Sequence, residues 1–433
     1  MSVVSQDIEQ SARFVPPVPK ALEETGLTSV MLEDLIFKVM LNKGAMTGRD
    51  LAQDLCLHFG IVEKLLADMK QRLLIGHKES GTMGDFVYVL TDQGQAKGMV
   101  AREISNFSGA APVPFKDYLA SVNVQSIRNE SPGLAQLQEA FEGLVFEDKL
   151  FDTIGPAVNS GRGLFLYGVP GNGKTTIAER MCACFKNDIF IPKSILIEGQ
   201  ILQLYDPQNH VPFETEEDKP LIAKYDQRWI RIRRPTVMVG GELTMEALDI
   251  KYNPILRVSE APLQMKANCG VFLIDDFGRQ RVSHVDLLNR WIVPLEKRID
   301  YLVMPNGQKI QVPFDELIIF STNLDPADLV DDAFLRRIPY KIHVTDPTEE
   351  QFKSIFQILC PKYGITYEES KVNYLIEKHY RGKRGFRGCQ PRDILEQIVN
   401  ASAYRKTSPV LTEDMLDMAC HNYFAAMGNI ADV

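Results

Sequence analysis

The sequence predicts an α/β protein in which a parallel sheet lies between two layers of helices. Its 433 residues exceed the ~250–300 that a single core usually holds, so two or three domains are expected. From about Leu134 short apolar runs alternate with helical patterns, as in a layered α/β domain. From Pro347 onward the pattern is helical only, with helices predicted at 349–360, 368–379, 391–404 and 412–426. We therefore expect an N-terminal arm, a small helix-and-hairpin domain, a linker, an α/β domain and a helical lid at residues 1–28, 29–104, 105–133, 134–346 and 347–433.

Composition excludes several classes of protein. Hydrophobic residues make up 45% and charged residues 24%, which is ordinary for a globular chain and excludes a disordered or fibrous one. The net charge of −9 argues against a protein that coats nucleic acid by charge alone. With no long apolar run and no secretory pattern at the first residues, we expect a cytoplasmic protein without membrane insertion. The seven scattered cysteines lack metal-ligand spacing, so reduced thiols are expected.

The N-terminal region combines a proline-rich arm with a helical pattern. The prolines at 16, 17 and 19 favour a plain extended tail, with a docking peptide as the alternative. Apolar residues at helical spacing predict a first helix from Ser29, Thr47 reads as the N-cap of a second, and a third spans residues 61–73. A strand–turn–strand pattern follows over residues 74–90. Three helices and a hairpin resemble a winged-helix domain over residues 29–104.

A winged helix suggests DNA binding, and charge argues against it here. Residues 1–104 hold 11 lysines and arginines against 14 aspartates and glutamates, and the third helix mixes Lys64, Lys70 and Arg72 with Glu63 and Asp68. Helices that bind the DNA groove normally carry a basic excess for phosphate contacts. Protein docking or packing is therefore favoured over DNA binding for this domain.

The strongest motif is a glycine-rich loop between an apolar strand and a helix. Residues 168–176 match the pattern G-x-x-x-x-G-K-[ST], in which glycines let backbone N–H groups converge on phosphate oxygens. Lys174 would neutralise phosphate charge and the hydroxyl of Thr175 would bind Mg²⁺. The sequence thus predicts binding of ATP with Mg²⁺ by Gly168, Pro170, Gly171, Asn172, Gly173, Lys174, Thr175 and Thr176.

Two consecutive acids follow a second apolar strand about a hundred residues later. Asp275 and Asp276 come directly after residues 270–274. Asp275 would hold Mg²⁺ through water, and Asp276 stands where a base is needed to orient an attacking water molecule.

Together with later segments, these motifs resemble the AAA+ ATPases. Asn323, after the apolar run 317–320, matches the family's sensor-1 position, which helps to place the lytic water. The segment 332–338 resembles the one that carries the arginine finger, with Arg337 as first candidate and Arg336 as second. Arg392 matches sensor 2 in the helical lid, where it would contact the nucleotide. The resemblance implies a P-loop AAA+ core of three α/β/α layers with a C-terminal helical lid, preceded by the winged helix.

Three features depart from or refine this pattern. Asp276 stands where the family usually has glutamate, which suggests slow hydrolysis or the use of ATP as a switch. Residues 192–245 exceed a minimal core and are expected to form an inserted hairpin or loop, in which the basic run 229–235 faces solvent or an anionic partner. Residues 295–314, with an Asn306-Gly307 turn, resemble the presensor-1 hairpin of the MoxR, magnesium-chelatase and enhancer-binding branches.

The function that this resemblance implies is ATP hydrolysis in a homo-oligomeric ring, a hexamer, coupled to remodelling of a macromolecular partner, with protein favoured. The alternative is an ATP-switched regulatory protein that binds DNA through the winged helix, and steeply salt-dependent DNA binding would favour it. A third hypothesis is an assembly factor for one dedicated protein complex, with the winged helix as its docking module.

Overall fold

The computed structural model describes residues 14–80, 85–213, 225–329 and 332–425. Its helices are α1 (Ser29–Lys43), α2 (Gly48–Leu55), α3 (Phe59–Gln71), α4 (Asp92–Ile104), α5 (Phe115–Val124), α6 (Leu134–Ala140), α7 (Asp148–Ser160), α8 (Lys174–Ala183), α9 (Leu263–Ala267), α10 (His284–Lys297), α11 (Pro326–Leu329), α12 (Asp332–Leu335), α13 (Glu349–Lys362), α14 (Glu369–Leu375), α15 (Gln390–Arg405) and α16 (Glu413–Phe424).

The strands form two five-stranded sheets and several smaller ones. They are β1 (Met46–Thr47), β2 (Ile75–Ser80), β3 (Phe86–Leu90), β4 (Val113–Pro114), β5 (Leu164–Tyr167), β6 (Ile189–Pro192), β7 (Ser194–Ile197), β8 (Gln200–Gln203), β9 (Trp229–Ile232), β10 (Thr236–Val239), β11 (Lys251–Asn253), β12 (Val258–Glu260), β13 (Val271–Ile274), β14 (Ile299–Val303), β15 (Lys309–Pro313), β16 (Leu317–Thr322) and β17 (Tyr340–His343).

The N-terminal domain folds as its local patterns predict. The apolar stripe of α1 is buried, and the side chain of Thr47 caps α2 by accepting from the N–H of Asp50. Strands β1, β3 and β2 form a three-stranded antiparallel sheet against these helices. Within the described part of the arm, Pro16 is buried, and Phe14 packs edge-on against Trp229 at a ring-centroid distance of 5.5 Å. This part of the arm is therefore docked on the chain's own core, unlike the extended tail favoured from sequence.

The main sheet is fully parallel, in the order β10-β13-β16-β5-β17. Alternate residues of its strands point to opposite faces. Leu164 and Leu166 pack with α7 and α8, whereas Phe165 packs with Trp291 of α10. Both faces are covered, and for that reason the central strands are apolar except at the carboxyl end of β16, where Ser321 and Thr322 stand. The predicted three-layer α/β/α fold class is confirmed.

A second five-stranded sheet, β11-β12-β8-β7-β4, connects this core to the N-terminal domain. Strand β4 of this sheet and the helix α5 that follows it come from residues predicted as a linker. In the same segment, the hydroxyl of Ser126 donates to the buried Asp315 at 2.8 Å. Much of residues 105–133 is therefore structured, and the expected insertion 192–245 contains strands of both five-stranded sheets. Two of its pairings, β4 with β7 and β12 with β8, join strands that are distant in sequence, which local patterns do not reveal.

The basic run 229–235 comprises β9 and the three residues after it. The surroundings of its arginines differ from both expectations. Arg234 donates to Glu130 through its Nε at 2.9 Å, and Arg231 pairs with Asp188. Both arginine side chains are largely buried. Of the three arginines in the run, Arg231, Arg233 and Arg234, only Arg233 is exposed. The run therefore serves packing and internal ion pairs rather than an anionic partner or a solvated face.

The helical lid begins close to where it is predicted and has its own apolar core. Helices predicted at 349–360, 368–379, 391–404 and 412–426 appear as α13, α14 with a following π turn (Ile376–Tyr380), α15 and α16. The expected hairpin is present as β14 and β15, with Gly307 at φ 84° in its turn. Among the described residues, no helix has the length and apolar character needed to cross a membrane.

Candidate functional site

The glycine-rich loop lies between β5 and the N-terminus of α8, at the carboxyl edge of the parallel sheet. Gly168, Gly171 and Gly173 adopt φ of 140°, 88° and 80°, a region that side chains disfavour. A Cβ on Gly168 would lie 2.4 Å from the carbonyl oxygen of Val344, so that position has no room for one. The loop thus presents main-chain N–H groups at the positive end of a helix dipole, an arrangement suited to phosphate.

Lys174 is held toward the loop and the neighbouring strand. Its ammonium group donates to the carbonyl oxygens of Gly168 and Val169 at 2.9 and 3.1 Å, and to the side-chain oxygen of Asn323 at 2.7 Å. Burial lowers the pKa of Lys174, while Asp275 and Asp276 act in the opposite direction. The lysine is therefore positioned, with little side-chain freedom left to lose, where an anion on the loop would meet it.

The three central strands deliver the predicted polar residues to the same edge. Asp275 follows β13 and accepts from the hydroxyl of Thr175 at 2.7 Å. Asp276 follows it with φ 50° and accepts from the side-chain amide of Asn323 at 3.2 Å. Parallel strands place their carboxyl ends together, so residues 47 apart in sequence meet here.

These groups line one cavity of about 760 Å³ between the sheet edge and the lid. Its walls include Pro170, Gly171, Asn172, Gly173, Lys174, Thr175, Thr176, Asp275, Asp276, Asn323 and Arg392. Apolar residues of the lid and of the segment before α7 close the other end. A cavity of this size with one polar end matches an elongated anionic ligand that carries an apolar or aromatic part.

The predicted arginines divide between the cavity and the surface. Arg392 lines the cavity, but its guanidinium group bonds Asp393 at 2.9 Å and is more than half exposed. Arg336 is exposed, and Arg337 lies 3.5 Å from Glu296. Neither Arg336 nor Arg337 belongs to the cavity wall of its own chain.

Side-chain contacts between the loop and the lid were not predicted from the sequence. Asn172 bonds both Asp346, in the segment joining core to lid, and the N–H of Gly388, two residues before α15. Their sequence separations of 174 and 216 residues leave no local signal. The one related prediction was that Arg392, close to Gly388 in sequence, matches the sensor-2 position of the lid.

The oxygen donors at the polar end suit a magnesium ion. Mg²⁺ prefers hard oxygen ligands, binds through few protein groups and completes its shell with water and substrate phosphates. Thr175 and Asp275 supply a hydroxyl and a carboxylate beside the phosphate-binding loop. The residues present therefore fit the ion.

Comparisons with known proteins give limited matches. A family model described as a domain of unknown function (DUF8689) matches residues 348–422, within the helical lid. The chain is similar to NtrX from Brucella abortus in complex with ADP at 13% identity and a TM-score of 0.41, covering 86% of this chain and 63% of that chain. It is also similar to the Thermotoga maritima RuvB Holliday junction branch migration motor, at 12% identity and a TM-score of 0.37, covering 64% of this chain and 70% of that chain. The chain thus spans less than two thirds of the NtrX chain, and likenesses this remote carry no functional detail.

Proposed function

We propose that this chain is an AAA+ ATPase that binds ATP with Mg²⁺ and hydrolyses it. The observation that carries the proposal is the convergence of a phosphate-binding loop, two strand-end acids and an amide on one cavity. The loop N–H groups and Lys174 bind the phosphates, while Thr175 and Asp275 hold the magnesium ion. The bound ion would neutralise charge on the phosphate oxygens.

The remaining side chains position the attacking water. Asp276 accepts its proton, and Asn323 fixes the carboxylate of Asp276 by the 3.2 Å bond already in place. Asn323 also touches Lys174, so the acid, the amide and the cation form one continuous chain of contacts. Charge that develops during hydrolysis is stabilised by Lys174 and by an arginine from a neighbouring copy, for which Arg337 is the first candidate and Arg336 the second.

The chain is further proposed to act as a homo-oligomeric ring, a hexamer, in the cytoplasm and to remodel a protein partner. Two observations favour protein over DNA for the N-terminal domain. Arg72 of the third-helix region is paired with Glu33 and Asp68, each at 2.7 Å. The domain is also packed against the second sheet, because Leu196 of β7 contacts its buried core. A paired arginine is less available to a phosphate backbone.

The direct test replaces the loop lysine. We expect Lys174→Ala to lose ATP binding by at least about a hundredfold, because a charge-assisted contact to phosphate is removed from a partly desolvated site. Isothermal calorimetry with Mg-ATP measures the affinity, and phosphate release measures turnover. Lys186→Ala, an exposed lysine just beyond α8, is the matched control. Equal ATP affinity in Lys174→Ala and the wild-type chain would contradict the proposed site.

A further inference from the structure

The phosphate-binding loop is tied to the helical lid through the side chain of one loop residue. Asn172 donates from its amide nitrogen to Asp346 at 2.7 Å, and its amide oxygen accepts from the N–H of Gly388 at 3.1 Å. Arg387 pairs with the second oxygen of Asp346. Asn172 is only 6% exposed. Both hydrogen-bonding ends of its amide are therefore used to hold the lid.

The backbones of loop and lid meet at the same place without space between them. The N–H of Cys389 donates to the carbonyl oxygen of Gly171 at 2.7 Å. A Cβ on Gly171 would lie 2.7 Å from the sulfur of Cys389, and one on Gly388 would lie 3.3 Å from the carbonyl oxygen of Gly171. A movement of either segment must consequently displace the other, because closely packed groups do not deform continuously.

Asp346 lies at the junction of core and lid, so a contact with it affects the position of the lid. It lies between β17, the last strand of the core, and α13, the first helix of the lid, so it belongs to the only covalent connection between the two described domains. Arg392, the predicted link from lid to nucleotide, instead bonds Asp393 on its own helix. The side-chain contacts that bridge loop and lid thus run through Asn172.

We propose that Asn172 is a positioning residue that couples nucleotide binding to the angle of the lid. This inference rests on the proposed ATP site and gives the side chain of one of its loop residues a role beyond phosphate binding. The Asn172 side chain holds Asp346 and Gly388, while the main chain of the same residue belongs to the loop that receives the phosphates. Phosphate binding fixes the loop, and the fixed loop in turn holds the lid closed over the cavity. Coupling between binding and closure is reciprocal, so loss of the lid contact must weaken nucleotide binding.

The test uses an exchange of charge in the full-length chain. Asn172→Asp sets a carboxylate against that of Asp346 and removes the donor. We expect about tenfold weaker binding of Mg-ATP and of ADP, within the range typical of coupling between sites. With ADP bound, hydrogen–deuterium exchange at Gly388 and Cys389 should be faster in the Asn172→Asp chain than in the wild-type chain.

The double variant Asn172→Asp/Asp346→Asn separates the lid contact from a direct effect of charge. Its new amide at position 346 can donate to the new carboxylate at position 172, which still accepts from Gly388. We expect affinity and exchange protection to return to within about threefold of the wild-type values, since the hydrogen bonds are restored in the opposite sense and the amide oxygen at position 346 can still accept from Arg387. Asn400→Asp, an exposed position on α15, is the control for the added charge.

Each outcome has one meaning. Rescue by the double variant supports the inference. Unchanged affinity and exchange in Asn172→Asp overturns it, and so does failure of the double variant to rescue, because the charge at position 172 would then act on the phosphates directly. If the wild-type chain itself binds no Mg-ATP, the proposed function fails rather than the coupling alone.

Discussion

Asp276 stands where the resembled AAA+ ATPases usually have glutamate, and the backbone conformation at this position explains the difference. Asp276 has φ 50°, in the left-handed region where aspartate and asparagine are several-fold enriched over other residues. Its short side chain also receives the amide of Asn323. The geometry therefore favours aspartate at this strand end, and a shorter acid need not signal loss of the proposed base.

If Asp276 accepts the proton of the attacking water, Asp276→Asn should abolish turnover and spare binding. Asparagine tolerates the same backbone and can still bond Asn323, but it has no basic oxygen. We expect turnover to fall by about 10²-fold or more, the usual contribution of a general base. Phosphate release at saturating Mg-ATP gives turnover, and calorimetry gives affinity. Near-normal turnover with normal affinity would assign the base elsewhere.

A buried acid outside the site predicts a pH dependence of stability. Glu316 is 0% exposed, and among the described residues neither carboxylate oxygen has a hydrogen-bond partner. Burial raises the pKa of Glu316 well above its ordinary value. The folded chain therefore keeps a proton that the unfolded chain releases, and this residue's share of the free energy of unfolding decreases as pH rises above the unfolded pKa.

Replacing Glu316 by glutamine should remove that dependence. Glutamine has nearly the same shape and cannot ionise, so Glu316→Gln should gain stability relative to the wild-type chain as pH rises. The gain should approach about 1.4 kcal/mol per pH unit until the folded pKa is reached. Urea unfolding at pH 5 and pH 8 measures it, with the exposed Glu142→Gln as control. A gain that is equal at both pH values would show that Glu316 is charged when folded.

At the scale of secondary-structure elements, success of prediction follows the locality of the signal. The helices of the N-terminal domain and the lid were predicted within a few residues, because amphipathic spacing and caps such as Thr47 are local. The strand ends that carry Asp275 and Asn323 were predicted from motifs. The second sheet was not, since β4 pairs with β7 some eighty residues away. Likewise, the partners of Arg231 and Arg234 lie 43 and 104 residues distant, so a basic run looked exposed.

One buried ion pair connects several of these elements. The side chains of Asp226 and Arg228 are only 3% and 4% exposed and lie 2.8 Å apart. Arg228 also donates to the carbonyl oxygens of Thr25 and Pro112 at 2.9 and 3.3 Å, and the N–H of Asp226 donates to the carbonyl oxygen of Pro16. The arm, whose Leu27 is buried in the core of the N-terminal domain, therefore meets the residue before β4 of the second sheet at one arginine.

Loss of that arginine should loosen the N-terminal domain. Arg228→Met leaves Asp226 buried without its partner, which typically costs about 3–5 kcal/mol. We expect a lower midpoint of thermal unfolding and faster proteolysis between the N-terminal domain and the core. Arg233→Met, an exposed arginine in the same segment, should change neither. Equal effects of the two substitutions would mean that the buried pair does not anchor the domain.

At the scale of the whole molecule, the proposed active site is incomplete within one chain. The cavity gathers the loop, both acids and Asn323, whereas Arg337 is turned toward Glu296 and lies outside the cavity wall. A role for Arg337 in hydrolysis therefore requires a second copy that presents its own cavity to this arginine. Arg337→Ala should accordingly keep ATP affinity and lose turnover by about 10³-fold or more.

Mixing two inactive variants tests this arrangement directly. Asp276→Asn retains Arg337 but lacks the proposed base, while Arg337→Ala retains the base and lacks the arginine. When copies of both assemble together, an Arg337→Ala site beside an Asp276→Asn copy regains a complete set of groups. At equal amounts about a quarter of the sites should be complete if assembly is random, because each arrangement at an interface is equally frequent. Phosphate release should therefore rise well above that of either variant alone and should depend on protein concentration. Activity that never recovers at any ratio would show that Arg337 acts within its own chain, through its contact with Glu296.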